Sequence, residues 1–187
     1  MFLVIENMIM RKEEMINKRL KNYPLHDSYR GYFGRALYKE MAENPKVVLL
    51  TADLGYKLFD PHFEDFPQQC ISVGASEQAM LGIGVGMALK GLIPFCYSIT
   101  PFLLYRPAEW IKNYLHHEKI PVKLVGAGVG KDYLEDGFTH WSEEPYNTIV
   151  SSWPNIQQFY PETKEEVPVM VREMITNKKP SFIHLHR

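Results

Sequence analysis

Short apolar runs alternate with amphipathic segments along the chain from residue 29 onward. Val47–Thr51 reads VVLLT, a run without charge that suits a strand buried on both faces. Ile71–Val73, Leu92–Ser98, Val122–Gly126, Ile156–Phe159 and Ser181–His186 are further strand candidates. Helix candidates lie between them. Tyr29–Asn44 places Phe33, Leu37 and Met41 four residues apart, on one helix face, and Pro45 ends it. Ser76 can cap a helix that runs to Lys90, with Gly91 at its carboxyl end. Pro101–His117 reads as a helix whose middle or start is perturbed by Pro107. Lys131–Thr139 reads as a loop, Glu143–Val150 as a short helix and Lys164–Thr176 as a longer one. This alternation predicts an α/β fold with a mainly parallel sheet and helices on both faces. Ligands of such sheets sit beyond the carboxyl ends of the strands. Ala52–Lys57, Gly74–Glu77, Ile99–Phe102, Ala127–His140 and Tyr160–Glu162 are therefore the segments to search for chemistry.

Residues 1–28 differ from the rest. They contain no glycine, and Lys12–Lys21 suits a helix that Pro24 would stop. They are read as an N-terminal arm, and 29–187 as the domain proper. With 21 Lys and Arg against 22 Asp and Glu, the net charge of −1 argues against a nucleic-acid partner. The longest apolar helical stretch, Ala79–Leu89, is too short to span a bilayer. The first ten residues lack the basic region of a signal peptide, so Cys70 and Cys96 are expected as reduced thiols in a cytoplasmic protein.

Two glycine patterns fail as nucleotide sites. In Gly82-x-Gly84-x-Gly86, Met87 stands where GxGxxG needs its third glycine, so close helix packing is the better reason for the small residues. Before Gly130-Lys131, Val125 stands where a phosphate loop needs glycine, and Asp132 replaces its Ser or Thr. Neither His116-His117 nor His184-x-His186 has the company of a metal site, and no GxSxG elbow exists. Three features remain. Glu77 stands at a helix start just after a strand, where the helix dipole alone would favour it. Phe102 and Tyr105 follow the next strand, where core packing is the ordinary role. Asp136-Gly-Phe-Thr-His140 puts an acid and an imidazole in one loop, which a plain turn would also explain.

Taken together and in order, these features resemble the pyrimidine-binding domain of the transketolase family. The run from Val73 to Phe95 is similar to the family's Gly-Ile-x-Glu-Gln/His-x-Met, small-residue helix and Gly-x-x-Pro, with Glu77, Met80, Gly91 and Pro94 in place. Asp136–His140 resembles the family's Asp-Gly-Pro-Thr-His loop, with Phe138 in place of proline. Leu50–Leu54 and Pro180–Arg187 resemble the family's first and last strands. The resemblance covers about residues 30–187.

It implies a thiamine diphosphate-binding fold and that cofactor. Glu77 matches the glutamate that bonds a nitrogen of the aminopyrimidine ring and so takes part in proton transfer. Phe102 matches the ring that stacks on the pyrimidine, and Tyr105 an aromatic three residues on. Ile99 takes the place of a second phenylalanine of that cofactor wall, and Asp53 that of an acid at a strand end. Asp136 matches an acid that reads a substrate hydroxyl, and His140 a catalytic histidine near the reacting carbon. Gly128 stands where many transketolases have another substrate-side histidine. Gly128→His is therefore expected to add a hydrogen bond to a phosphorylated sugar. The acids of Gly126–Asp136, Asp132 and Glu135 with Asp136, are expected to repel phosphate.

The family's Gly-Asp-Gly…Asn motif, which holds Mg²⁺ and the diphosphate, is not in this sequence, and with the sequence stopping at Arg187 the family's third domain is expected to be missing too. The expectation is a stand-alone pyrimidine-binding subunit, with no metal ligands of its own. A partner subunit would carry the missing motif, in a hetero-oligomer such as a heterotetramer. The implied reaction is transfer of a two-carbon ketol unit between sugars. The alternatives are another thiamine diphosphate reaction, such as α-keto acid decarboxylation, and a non-catalytic regulatory or assembly partner.

Overall fold

The computed structural model describes residues 10, 14, 16–23 and 26–187. More than half of the predicted arm, including residues 12, 13 and 15 of its Lys12–Lys21 helix, lies outside the described residues, but 16–21 are helical.

Six strands form one parallel sheet: β1 Val47–Thr51, β2 Cys70–Ser72, β3 Ile93–Ile99, β4 Lys123–Ala127, β5 Gln157–Phe159 and β6 Ser181–Leu185, in the order β2-β1-β3-β4-β6-β5. The α/β fold with a parallel sheet is thus as the alternation predicted. Every residue of β1, β4 and β6 is buried, because helices cover both faces. Successive side chains of β1 point to opposite faces: Val47 and Leu49 join one core, Val48 and Leu50 the other.

The first face carries α1 (Tyr29–Glu43) and α7 (Val167–Thr176), with Phe33, Leu37, Met41, Val171 and Met174 in the core. Ser28 caps α1 by accepting a hydrogen bond from the Gly31 N–H. The second face carries α3 (Glu77–Leu89) and the helices after β3, through Met80, Val85, Leu104 and Ile111. A Cβ on Gly84 would lie 2.9 Å from Cys96 Sγ, so glycine there lets α3 lie close on β3.

Three boundaries differ from expectation. Residues 60–69 hold α2 (Asp60–Asp65), with Pro61 in its first turn, and a tight turn at Pro67–Gln69. The predicted helix Pro101–His117 is three pieces. α4 (Thr100–Tyr105) stops at Arg106, α5 (Ala108–Trp110) restarts after Pro107, and Ile111–His117 winds more widely, with the Glu118 N–H on Asn113 O. The predicted helix at Glu143–Val150 begins later, as α6 (Tyr146–Ser151), after Pro145.

Residues 16–23 dock on α2. Arg19 bridges Asp65 at 2.9 Å and Glu64 at 2.7 Å, Tyr38 donates to Asp65 at 2.7 Å, and Tyr23 donates to Leu58 O. Burial pushes the Asp65 carboxyl up, but the bonds from Arg19 and Tyr38 outweigh it and hold it below its usual value. The chain leaves β1 to one side for β2 and then crosses to β3 on the other. The carboxyl ends of β1 and β3 thus form a topological switch point, where a crevice opens between diverging connections.

Candidate active site

Glu77 is the first residue of α3, and its side chain is 2 % exposed. A buried carboxylate needs partners for its lone pairs. Ser98, near the end of β3, donates from Oγ to Glu77 Oε1 at 2.8 Å. Arg106, in the break between α4 and α5, donates from Nη1 to Oε2 at 2.6 Å. The guanidinium also lies over the Phe102 ring, 3.7 Å from its centroid. Phe102 and Arg106 are four residues apart, which brings them to one side of the helical turn. The His140 imidazole meets Phe102 at 4.8 Å between centroids, tilted by 66°, and its Nδ1 lies 3.1 Å from Thr139 Oγ1.

Glu77, Phe102 and His140, predicted from three separate segments, are therefore gathered in one chain of contacts. Ile99 is buried and leads directly into α4. Tyr105 is half exposed, with its hydroxyl 3.3 Å from Ser142 Oγ. Asp136 and Asp53 stand apart. Asp136 Oδ2 lies 3.6 Å from Arg187 Nη1. Asp53, in the left-handed backbone region at φ 49°, lines a different part of the switch point. That part is a cleft of about 750 Å³ whose walls include Arg30, Thr51, Lys57 and Ser72. Ser98 and Arg106 were not foreseen. The four-residue step from Phe102 was the available signal for Arg106, and nothing local marks Ser98.

The acidic loop is not left bare. Asp132 Oδ2 accepts from the backbone N–H of Arg187 at 2.9 Å, and the Arg187 guanidinium lies 3.6 Å from Asp136 Oδ2, so this cation offsets part of the acids expected to repel phosphate. The expectation for Gly128→His is overturned. Gly128 sits at φ +91°, and a Cβ would lie 2.4 Å from two carbons of the Tyr133 ring, which fills the space a side chain would need. Its carbonyl accepts from Thr100 Oγ1 at 2.8 Å and from His184 Nε2 at 2.9 Å. Gly128→Ala should lower stability by about 2 kcal/mol through backbone strain and displacement of Tyr133. Urea unfolding measures it, and an unchanged midpoint would show that Tyr133 moves aside freely.

The residues suit an aminopyrimidine ring on the chemistry of the donors already there. Glu77 and Phe102 between them hold a flat, nitrogen-bearing group that donates to a carboxylate and stacks on an aromatic face. Among the described residues no group of three His, Cys, Asp or Glu is arranged to hold a metal ion, and no helix is long and apolar enough to cross a membrane.

Comparison with known proteins agrees with the geometry. The family model for the transketolase pyrimidine binding domain matches residues 27–187. An apulose-4-phosphate transketolase subunit of Actinobacillus succinogenes is 30% identical over 125 residues, 67% of this chain and 40% of that protein. The 6-deoxy-6-sulfo-D-fructose transketolase subunit SqwH of a Clostridium species is 26% identical over 170 residues, 90% of this chain and 51% of that protein. A solved structure described as a split gene transketolase, inactive beta4 tetramer, superposes with a TM-score of 0.76 at 28% identity, covering 87% of this chain and 52% of that one. The chain spans about half the length of the curated relatives it matches. With the family model spanning nearly the whole chain and the fold and buried glutamate in agreement, this chain belongs to the transketolase pyrimidine-binding domain family.

Proposed function

We propose that the chain is the pyrimidine-binding part of a split transketolase-like enzyme that moves a two-carbon ketol unit from a ketose to an aldose. The observation that carries this reading is Glu77, a buried carboxylate with one oxygen fixed by Ser98 and the other presented beside the face of Phe102. Relatives named as transketolase subunits support it.

Thiamine diphosphate, when bound, supplies an electron sink for breaking the bond beside a ketose carbonyl. The chain's own groups do the rest. Ser98 holds Oε1, which leaves Oε2 as the atom at which Glu77 would meet a ring nitrogen and hold or release a proton. Low exposure strengthens that hydrogen bond relative to water. Phe102 would offer an apolar face to the ring, with Ile99 three residues before it and Tyr105 three after it assigned to the same wall. His140, whose ring meets Phe102, is assigned the proton exchange near the reacting carbon. Asp136 is assigned to the substrate side and Asp53 to the cofactor side.

Mg²⁺ and the diphosphate fall to a partner subunit carrying Gly-Asp-Gly…Asn, in a hetero-oligomer. A relative described as an inactive tetramer of one subunit fits such dependence. The cytoplasm suits the two free, buried cysteines.

The test is to purify the chain with and without such a partner. The chain alone should bind thiamine diphosphate poorly, and the mixture should show Mg²⁺-dependent binding and ketol transfer. Micromolar, Mg²⁺-dependent binding by the chain alone would sink the division of labour. A mixture that binds the cofactor but transfers no ketol unit would sink the reaction.

A further inference from the structure

The Arg106 guanidinium makes two contacts at once. It donates to Glu77 Oε2 at 2.6 Å and lies 3.7 Å over the centroid of Phe102. A flat, donor-bearing heterocycle seated between the same two side chains would make the same pair of contacts. Glu77 has one free oxygen to offer, because Ser98 occupies the other. The face of Phe102 that a ring would stack on is the one the guanidinium already covers, with His140 meeting the same ring at 66°. Guanidinium and ring therefore compete for the same atoms.

We propose that Arg106 is an internal stand-in for the cofactor's aminopyrimidine, closing the site until the ring displaces it. This rests on the function proposed above and adds a gate to it.

Two features suit Arg106 to such exchange. Its side chain is 44 % exposed while that of Glu77 is 2 % exposed, so the cation can swing to solvent as the carboxylate stays. It also sits at the break between α4 and α5, next to Pro107, where one turn ends and the next has not begun. The gate has a structural reason as well. A buried carboxylate without a counter-charge is strongly unfavourable, and Arg106 supplies the charge while the site is empty. The ring must then offer Glu77 enough to replace an ion pair, which disfavours flat groups that lack a donor to Oε2.

The experiment uses the full chain and thiamine, which carries the aminopyrimidine without the diphosphate, with binding followed by ligand-observed NMR. Arg106→Ala should bind thiamine about tenfold more tightly than the unaltered chain, because the competent state is no longer a minor one. Arg106→Lys, which keeps the charge but not the flat face, should gain less. Free guanidinium ion below denaturing concentration should compete with thiamine in Arg106→Ala, and Glu77→Gln should abolish the gain. If Arg106→Ala binds as the unaltered chain does, or more weakly, while Glu77→Gln removes binding from both, the cofactor reading stands and the gate is overturned. If Arg106→Ala shows no thiamine binding even when mixed with the partner subunit, the cofactor reading falls and the gate with it. Thermal unfolding gives a readout without ligand. Arg106→Ala and Glu77→Gln should be clearly non-additive in the double variant, and additive effects would overturn the gate.

Discussion

Glu77→Gln should leave the fold in place and lower ketol transfer by the assembled enzyme by at least roughly 10²-fold, the scale of removing general acid–base help. Glutamine keeps the length of the side chain, and its Oε1 can still accept from Ser98 Oγ. The fold should tolerate the change because it also removes a buried charge, so stability should stay within about 1.5 kcal/mol of the unaltered chain. What glutamine lacks is the ability to take and return a proton at the position of Oε2. The loss should therefore appear in kcat with little change in the KM for sugar, since sugar binding is assigned to other groups, Asp136 and His140. A second measurement isolates the step: hydrogen exchange at the thiazolium C2 of bound cofactor, read by quenched-flow NMR, should slow in parallel. Near-normal turnover or normal exchange would reduce Glu77 to a helix-start carboxylate held by the dipole of α3.

The sheet was legible because its strands are apolar runs bounded by polar breaks, and burial on both faces demands that composition. β1 reads as a strand for that reason alone. Boundaries were less legible where the backbone departs from regular bonding. Pro107 announces a break, but the wide turns of Ile111–His117, a segment packed against α3, have no local mark. α2 was missed because it is short and its partner surface is supplied by residues 16–23, through Arg19 and Tyr23. At the site, Glu77, Phe102 and His140 could be named because each stands in a recognisable run. Ser98 could not, since its role exists only once β3 lies beside the start of α3. Gly128 shows the converse error. Its missing side chain reads as space in the sequence, whereas Tyr133, five residues on, occupies that space.

Acid should unfold the protein through two histidines as well as its carboxylates. His62 is fully buried among Tyr23, Tyr38 and Phe59, with Nε2 2.9 Å from Gly34 O and no partner at Nδ1. His184, on β6, places Nε2 2.9 Å from Gly128 O. A carbonyl partner assigns the proton to Nε2 in each case, which leaves Nδ1 bare in the neutral ring. Burial pushes both imidazoles down, from the ordinary 6.5 to about 4. The folded value lies below the unfolded one, so the stabilisation is complete above pH 6.5 and is lost as pH falls toward 4. Each group accounts for about 3 kcal/mol over that window, and the pair for about 6 kcal/mol, a large share of a typical domain's stability. Urea unfolding at stepped pH should show the midpoint falling steeply in this range. His62→Gln with His184→Gln keeps an N–H donor at the place of each Nε2 and cannot take up a proton, so it should flatten the profile there. Residual slope would then belong to carboxylates such as Asp65, whose depressed value makes it lose its share in more acid solution. A midpoint for the unaltered chain that does not move between pH 6.5 and pH 4 would show that both imidazoles can be protonated within the folded core.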